Sequence, residues 1–565
     1  MFLFKKVIVF FLFALPALAF WAVSPGHAQT VVQSKGTDSN LNYESLKKFG
    51  PWDDRNYQLT REDLKVLSAN EEELRDLIPA FYRVELRKRY SDLQKTGLHQ
   101  YPHSAKPRFR VEYGGYLING SYYRKASRTG DTFTVDMSKP FMGAYEWARK
   151  NLQGETRVAP GAETAIAINP VNPSIVVAGS NGNFGQEMHY SSDGGATWNS
   201  AGTLPGSCCD PTVSWSTDGT RVYTVTLGFS SNEVYVSTNN GQTWTEIATV
   251  GSGGVDKEYL HIDEYPTSPY KDHLYLTWHL GNSMLFSKST DNGNNWTSPS
   301  TVSTGSQLGI GSDIASDKNG HVYYIWPSFE GGQIWSRKST DGGSTWQTAV
   351  EVADTEGEFD FPIPAMSSRR VFIYTAVEAD LTNGPYGNSL YVAYTDSTAA
   401  TGNTAANNHA RIQVAYSRDG GATWQATTPH STANMNTVDR FHPWMTVDET
   451  GKVWVVFYST QEDNDRTTVD FYYSVSEDGA QTWSTPERLT TVSSEKPNDD
   501  FEWGDYNGMD LVMGNLLAIY TDNRNEGGGN GDSIDVYVVG ASVGTTGPEI
   551  FADSFESGDL SAWSN

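Results

Sequence analysis

The stretch YSSDGGATW, from Tyr190 to Trp198, decides the fold because the chain repeats it. The shared pattern is Ser-x-Asp-x-Gly-x-Thr-Trp, with a single replacement in three of the copies. The five further copies lie at residues 237–244, 289–296, 339–346, 417–424 and 476–483. A strand-rich sequence that repeats at intervals of about 50 residues is typical of β-propeller blades.

Turn chemistry explains what each copy does. Serine and aspartate side chains hydrogen-bond to nearby backbone, glycine supplies a positive φ, and the tryptophan buries a large ring beside the turn. The six copies resemble the Asp-box (BNR) repeats of sialidase-like β-propellers, and the resemblance covers roughly residues 163–543. In that family the boxes lie on the rim, so the resemblance implies that they are structural.

The strand pairs that open the repeats set the number of blades. They lie near residues 165–177, 212–226, 259–278, 314–326, 374–394, 444–458 and 506–520. The seventh pair has no Asp box and no outermost strand, and a closed ring needs that edge covered. We expect a strand from before Glu163 to cover it. Seven blades are favoured, and six, the number in the family's sialidases, is the alternative.

The chain divides into four predicted parts. They are a signal peptide (1–28), a small α+β N-terminal region (29–155), an all-β propeller (156–543) and a C-terminal tail (544–565). The apolar run after Lys6 is shorter than the ~20 residues of a spanning helix, which favours a cleaved export signal over an uncleaved anchor. The expected location is therefore secreted or periplasmic.

Local patterns outside the propeller give three further expectations. Apolar residues between Thr60 and Phe81 follow helical spacing, and Asn119-Gly120 predicts a two-residue hairpin turn. The tail from Pro548 resembles a short motif at the C-terminus of many exported bacterial proteins; a disordered acidic tail is the alternative.

The net charge of the chain restricts the classes of partner that it is expected to bind. The net charge is −26, and residues 161–565 contain 50 Asp and Glu against 17 Lys and Arg. So acidic a surface argues against binding nucleic acid or anionic membranes. It is compatible with bound Ca²⁺, whose ligands are oxygen atoms. We expect a carbohydrate or glycoconjugate partner, no nucleic acid, no membrane span after signal cleavage, and no required cofactor, with calcium as an optional ion.

The two cysteines, Cys208 and Cys209, are adjacent. An exported protein can oxidise them. Neighbouring Cα atoms lie about 3.8 Å apart, closer than in most disulfides, so a bond between them would impose a rigid turn. A vicinal disulfide is favoured over two free thiols or an intermolecular bond.

Residues just before each opening strand are expected at the mouth of the central channel, where propellers bind ligands. Six of these seven positions carry a carboxylate. Carboxylates that converge raise one another's pKa or share a cation, and local capping of each strand is the alternative. The candidate metal ligands are Glu258, Asp313 and Asp360.

A catalytic assignment follows from the same positions. Tyr506 with Glu502 is the candidate nucleophile pair, because a phenol needs an adjacent base. Asp210 or Asp505 is the candidate general acid/base. The candidate substrate-binding residues are Arg440 and Arg524 as an anion clamp, with His442, and the aromatic residues Tyr259, Phe361, Phe441 and Trp503 as stacking platforms.

The sialidase resemblance also implies three arginines that hold the substrate carboxylate, one of them in a Phe/Tyr-Arg-Ile-Pro motif. The nearest string here, Phe361-Pro362-Ile363-Pro364, has no arginine. The sequence thus predicts an exported glycan-active propeller, with exo-glycosidase as the enzymatic form. The alternative is a non-catalytic, calcium-stabilised propeller that binds a glycan or a protein.

Overall fold

A computed structural model of the protein describes residues 155–542 with short gaps and a set of strands further towards the N-terminus. The gaps are 183–184, 229–230, 254, 306, 330–331, 358, 399–403, 497–501, 514 and 525–533. The predicted signal segment before Ala28, the helical pattern at 60–81 and the tail at 548–565 lie outside the described residues.

The N-terminal strands form two small antiparallel sheets. The first contains Ala28–Val32, Thr132–Asp136 and Ser127–Thr129, and the second contains Phe109–Glu112, Gly115–Ile118, Ser121–Arg124 and Met142–Gly143. Ile118 pairs with Ser121, as a hairpin requires, while the predicted turn residues 119–120 lie outside the described residues. Within the described residues, no helix is long and apolar enough to cross a membrane.

Seven blades follow, each a sheet of four antiparallel strands that runs outward from the channel. Blade 1 is Ala162–Ile168, Val176–Gly182, Gly185–Ser191 and Asn199–Thr203; blade 2 is Cys209–Trp215, Val222–Leu227, Asn232–Ser237 and Thr245–Val250; blade 3 is Val255–Ile262, Leu274–Leu280, Ser283–Ser289 and Ser300–Thr301. Blade 4 is Asp313–Ser316, Val322–Pro327, Gln333–Ser339 and Val350–Asp354; blade 5 is Thr375–Ala379, Leu390–Ser397, Ala410–Ser417 and Gln425–Thr427.

The last two blades depart from four strands taken consecutively along the chain. Blade 6 is Arg440–Val447, Val453–Ser459, Thr468–Ser476 and Glu487–Arg488, with Ser494–Glu495 also paired to its third strand; blade 7 is Gly508–Val512, Asn515–Asp522, Asp535–Ser542 and Glu155–Pro160. A short hairpin, Asp360–Phe361 with Val371–Phe372, lies between blades 4 and 5.

The ring closes as the sequence predicts. The outermost strand of blade 7 is Glu155–Pro160, which precedes blade 1 in the chain and pairs with Asp535–Ser542. Each innermost strand contacts the innermost strand of the next blade, and that of blade 7 contacts that of blade 1. Both observations confirm seven blades, because the edge that the seventh blade would expose is covered.

The Asp boxes have the predicted geometry. In the first copy Ser191 Oγ donates to Asp193 Oδ1 at 2.7 Å and accepts from the Gly195 amide at 2.9 Å. Trp198 Nε1 donates to the Gly195 carbonyl at 3.0 Å. The motif therefore clamps the turn between the third and fourth strands of its blade.

Aromatic side chains meet inside the ring. Tyr259 is on the innermost strand of blade 3 and Trp444 on that of blade 6, yet their ring centroids are 5.6 Å apart. Because these blades lie on opposite sides of the ring, the contact crosses the channel.

Candidate active site

Four innermost strands have an irregular pairing register near their first residues. The register shifts opposite Glu163 in blade 1, and a β-bulge occurs at Asp210, Lys257 and His442 in blades 2, 3 and 6. Each of these four residues has a positive φ, between 47° and 60°. Bulges redirect side chains and are frequent beside active sites. Here they occur at the predicted mouth positions.

Tyr506 and Asp210 meet across the mouth. The Tyr506 hydroxyl donates to Asp210 Oδ1 at 3.1 Å, which joins the start of blade 7 to the start of blade 2. The Lys257 ammonium lies 3.4 Å from the centroid of the Tyr506 ring. Burial, reinforced by the Asp210 charge, raises the pKa of Tyr506 well above its usual value.

Arg369 supplies the central cation of this cluster. Its Nε and Nη2 donate to the two carboxylate oxygens of Asp505, both at 2.6 Å. Nη2 also donates to Glu163 Oε1 at 3.0 Å. The guanidinium therefore connects the hairpin before blade 5 to blades 7 and 1. We call Glu163, Asp210, Lys257, Arg369, Asp505 and Tyr506 the mouth cluster.

Glu163 and Asp505 compete for the same arginine. Burial, together with the neighbouring Asp505 charge, raises the pKa of Glu163 well above its usual value. Burial also raises the pKa of Asp505, although Arg369 opposes that shift. Two buried carboxylates that share one cation hold a proton more readily than either would alone. Burial of the pair thus favours retention of a proton on one of the two carboxyl groups.

An asparagine connects the two acidic ends of the cluster. Asn181, on the second strand of blade 1, donates from Nδ2 to Glu163 Oε2 and accepts at Oδ1 from the Asp210 amide at 2.7 Å. Glu163 and Asp210 are consequently held by one side chain, and their separation is fixed by the blade 1 sheet.

Glu502, the predicted base for Tyr506, has a different position. It is fully buried, and its Oε1 accepts from the amides of Ser367 and Ser368 while Oε2 accepts from the amide of Arg369. Lys496 Nζ lies 2.7 Å from its Oε1. The hydroxyl of Tyr506 hydrogen-bonds to Asp210 instead. Glu502 holds the segment that carries Arg369, because it accepts hydrogen bonds from three consecutive amides of that segment.

His442 lies in the blade 6 bulge. It is buried, and its ring nitrogens have no hydrogen-bond partner in the described part of the chain. Burial and the Arg369 charge lower the pKa of His442 to about 3, so the imidazole is neutral. Its amide donates to Thr395 Oγ1 and its carbonyl accepts from Asn507. His442 is thus near the mouth cluster.

The two predicted clamp arginines do not join the mouth cluster. Arg440 is buried and donates to Asn434 Oδ1 at 3.0 Å; burial lowers its pKa to about 10. Arg524 forms ion pairs with Asp522 and with Glu155 of the closing strand. Arg524 therefore closes the ring, because Glu155 belongs to the outermost strand of blade 7.

The predicted aromatic platforms lie in the protein interior. Trp503 is fully buried, donates from Nε1 to Ser494 Oγ at 2.8 Å, and packs in the same apolar core as Phe361 and Phe441. Tyr259 contacts Trp444 inside the channel.

The three predicted metal ligands have separate environments. Asp313 accepts from the amides of Ile314 and Val377, Asp360 forms an ion pair with Arg370 at 3.3 Å, and Glu258 is fully buried. Among the residues that the structure describes, no group of three or more His, Cys, Asp or Glu side chains could hold a metal ion. The calcium site stays a prediction.

The adjacent cysteines directly precede Asp210. A disulfide joins Cys208 to Cys209, and both are fully buried. The Cys208 amide donates to the Leu227 carbonyl at 2.6 Å, and Thr226 Oγ1 donates to the Cys209 carbonyl at 3.0 Å. The disulfide thus belongs to the apolar core between blades 2 and 3.

Comparisons with known proteins support the repeat prediction. Residues 282–527 match the family described as BNR repeat-like domain, which confirms the Asp-box prediction there, and residues 42–127 match a family described as Domain of unknown function (DUF8300). A xyloglucanase from Paenibacillus sp. is 24% identical over 229 residues, which are 39% of this chain and 20% of that protein. The match therefore spans about a fifth of that relative's length.

Solved propellers are similar at lower identity. The α-L-arabinanase of Penicillium chrysogenum is 13% identical, with a TM-score of 0.38, over 59% of this chain and 92% of its own. The BP39L lectin of Burkholderia pseudomallei is 12% identical, with a TM-score of 0.47, over 69% of this chain and 99% of its own.

Proposed function

We propose that this Asp-box propeller is an exported glycoside hydrolase that cleaves glycans at the mouth cluster. The observation that carries the proposal is the 3.1 Å hydrogen bond from the Tyr506 hydroxyl to Asp210. A phenol is a weak nucleophile unless a neighbouring base accepts its proton. Asp210 is that base, and it is partly exposed at the mouth.

The chemical step uses groups already in contact. Tyr506 Oη attacks the anomeric carbon, and its proton passes to Asp210 Oδ1. Lys257, against the face of the ring, favours negative charge on the phenol oxygen during the attack. Water then attacks the anomeric carbon and gives a proton to the Glu163 carboxylate formed in the first step. The bond from the sugar to Tyr506 Oη breaks, and Asp210 returns its proton to that oxygen.

Glu163 is the general acid of the proposed reaction. Burial and the Asp505 charge raise the pKa of Glu163, which favours its protonated form, and it gives its proton to the oxygen that leaves as the glycosidic bond breaks. Arg369 stabilises the carboxylate that remains, because its guanidinium donates to Glu163 Oε1.

Two further observations support a carbohydrate-active, exported protein. The xyloglucanase relative is by its name an enzyme that acts on a glycan. The Cys208–Cys209 disulfide fits an oxidising compartment, where such bonds persist, so we place the protein in the periplasm or outside the cell.

A panel of chromogenic α- and β-linked glycosides tests the activity. We expect the wild-type protein to release chromophore from at least one substrate, and Asp210→Asn and Glu163→Gln to lower kcat by about 100-fold or more. Arg411→Ala, a change in the blade 5 ion pair with Asp396, is the matched control and keeps turnover. Turnover that survives Asp210→Asn would contradict the proposal.

Binding without turnover is the second candidate, and the engagement of Arg369 favours it. That guanidinium already contacts Asp505 and Glu163, and a Glu163 carboxylate held in an ion pair has no proton to give to a leaving group. This candidate predicts glycan or protein binding by calorimetry with no product from the panel. A melting temperature that falls on addition of EDTA would support its calcium-stabilised form.

A further inference from the structure

Asp210 adopts a backbone conformation that its sequence context disfavours. Its φ is +60°, a region that residues with a side chain seldom occupy. The next residue is Pro211, and a residue before proline prefers an extended backbone. Such a conformation persists only where its surroundings impose it. The residues that impose this positive φ therefore also determine the position of Asp210.

The chain on the N-terminal side of Asp210 is fixed by the disulfide. Cys208 and Cys209 are bonded to each other and fully buried, and the pairing partner of Cys209 in the sheet is Leu227. The Cys208 amide donates to the Leu227 carbonyl as well. Neither cysteine can rotate independently, so the direction in which the chain enters Asp210 is set.

The chain on the C-terminal side is fixed by close packing. A Cβ atom placed on Gly179, in blade 1, would lie 2.7 Å from Pro211 Cβ, so the two backbones are as near as a glycine permits. The Asp210 amide itself donates to Asn181 Oδ1 at 2.7 Å. With both neighbours held, the carboxylate of Asp210 has one direction left, towards the Tyr506 hydroxyl.

The other mouth bulges have no such bond. Lys257 and His442 occupy the equivalent turns of blades 3 and 6 with similar φ values, and the chain's two cysteines are both at blade 2. The disulfide thus lies at the bulge whose residue accepts the hydrogen bond of the Tyr506 hydroxyl.

We propose that the Cys208–Cys209 disulfide is a positioning element that holds Asp210 against the Tyr506 hydroxyl. This inference rests on the proposed function for its catalytic consequence, while its geometric content is independent of activity. Breaking the disulfide releases the turn, and Asp210 then relaxes towards the extended backbone that Pro211 favours.

The experiment has a structural arm and a kinetic arm. A crystal structure of the Cys208→Ala/Cys209→Ala double variant is expected to show Asp210 at negative φ and the Tyr506–Asp210 hydrogen bond broken. The control is Ser207→Ala, which removes a neighbouring buried hydroxyl bonded to Leu204 and to the Gln186 amide. The control keeps both features. A double variant that retains the positive φ and the hydrogen bond would overturn the proposal.

The kinetic arm uses the best substrate of the glycoside panel. We expect the double variant to lose at least tenfold in kcat with KM within twofold, and to change its pH profile, which a loss of stability alone would not produce. If the variant does not fold, wild-type protein reduced with a phosphine and verified by mass gives the same comparison. Full activity of the reduced protein would overturn the proposal. If no substrate is cleaved, the proposed function fails and the structural arm still decides this inference.

Discussion

The guanidinium of Arg369 and the carboxylate of Asp505 form a two-point ion pair at the mouth of the channel, with both N–O distances at 2.6 Å. Both side chains are mostly buried. The ion pair holds the segment between blades 4 and 5 against the start of blade 7. It therefore positions residues of the mouth cluster and also connects two parts of the ring.

Loss of that arginine is expected to be costly. Arg369→Ala leaves Asp505 and Glu163 buried without their shared cation, and breaking a buried ion pair on one side costs about 3–5 kcal/mol. Arg411→Ala is the control, because Arg411 is more exposed and its partner Asp396 also accepts from three backbone amides. Urea denaturation measures both. Equal losses of unfolding free energy in the two variants would show that the Arg369–Asp505 pair stabilises the protein no more than the Arg411–Asp396 pair does.

Channel carboxylates make stability depend on pH. The side chain of Glu264 is open to water but closely surrounded by protein, and this partial desolvation, with the nearby Asp510 and Asp263 charges, raises its pKa from 4.5 to about 7. The native state therefore binds a proton more tightly than the unfolded chain, and the free energy of unfolding falls as pH rises through that window.

Glu264→Gln removes this contribution and is expected to flatten the decline in melting temperature between about pH 4.5 and pH 7. Glu246→Gln, an exposed change on the outermost strand of blade 2, is the control and keeps the wild-type slope. A slope unchanged by Glu264→Gln would mean that the carboxylate titrates alike in both states.

The closing strand provides a separate test of the ring. Glu155→Ala removes the ion pair with Arg524 and the hydrogen bond from Tyr520, all fully buried, and should cost about 3–5 kcal/mol. Arg157→Ala, on the same strand, breaks a partly exposed pair with Asp535 and should cost less. Limited proteolysis near residue 155 should be faster in the first variant. Identical proteolysis rates would argue that Glu155 does not hold the strand.

Local chemistry explains which predictions from the sequence were confirmed. The Asp box folds through contacts within a few residues, such as Ser191 with Asp193, so its repeat predicts the blades. The missing outer strand of blade 7 follows from counting, since a closed ring leaves no free edge. Asp210, Asp505 and Tyr506 were found because they directly precede innermost strands.

Residues that reach the site from elsewhere could not be found in this way. Arg369 arrives from the segment between blades 4 and 5, and its contacts with Asp505 span 136 positions of sequence. Glu502 lies four residues before Tyr506, yet its side chain hydrogen-bonds to the backbone of the segment that carries Arg369. Arg524 pairs with Glu155, which lies 369 positions away in the sequence, so its role in closing the ring could not be predicted.

The hydroxyl of Tyr506 is the group on which the account depends, and a matched tyrosine makes it testable. Tyr520 is also buried in blade 7 and also donates to a carboxylate, Glu155, at 2.9 Å, but it lies outside the mouth cluster. The decisive measurement is kcat of Tyr506→Phe against Tyr520→Phe on a cleaved glycoside. We predict that the first falls by about 100-fold or more while the second stays near wild type. Equal turnover in the two variants would contradict the account.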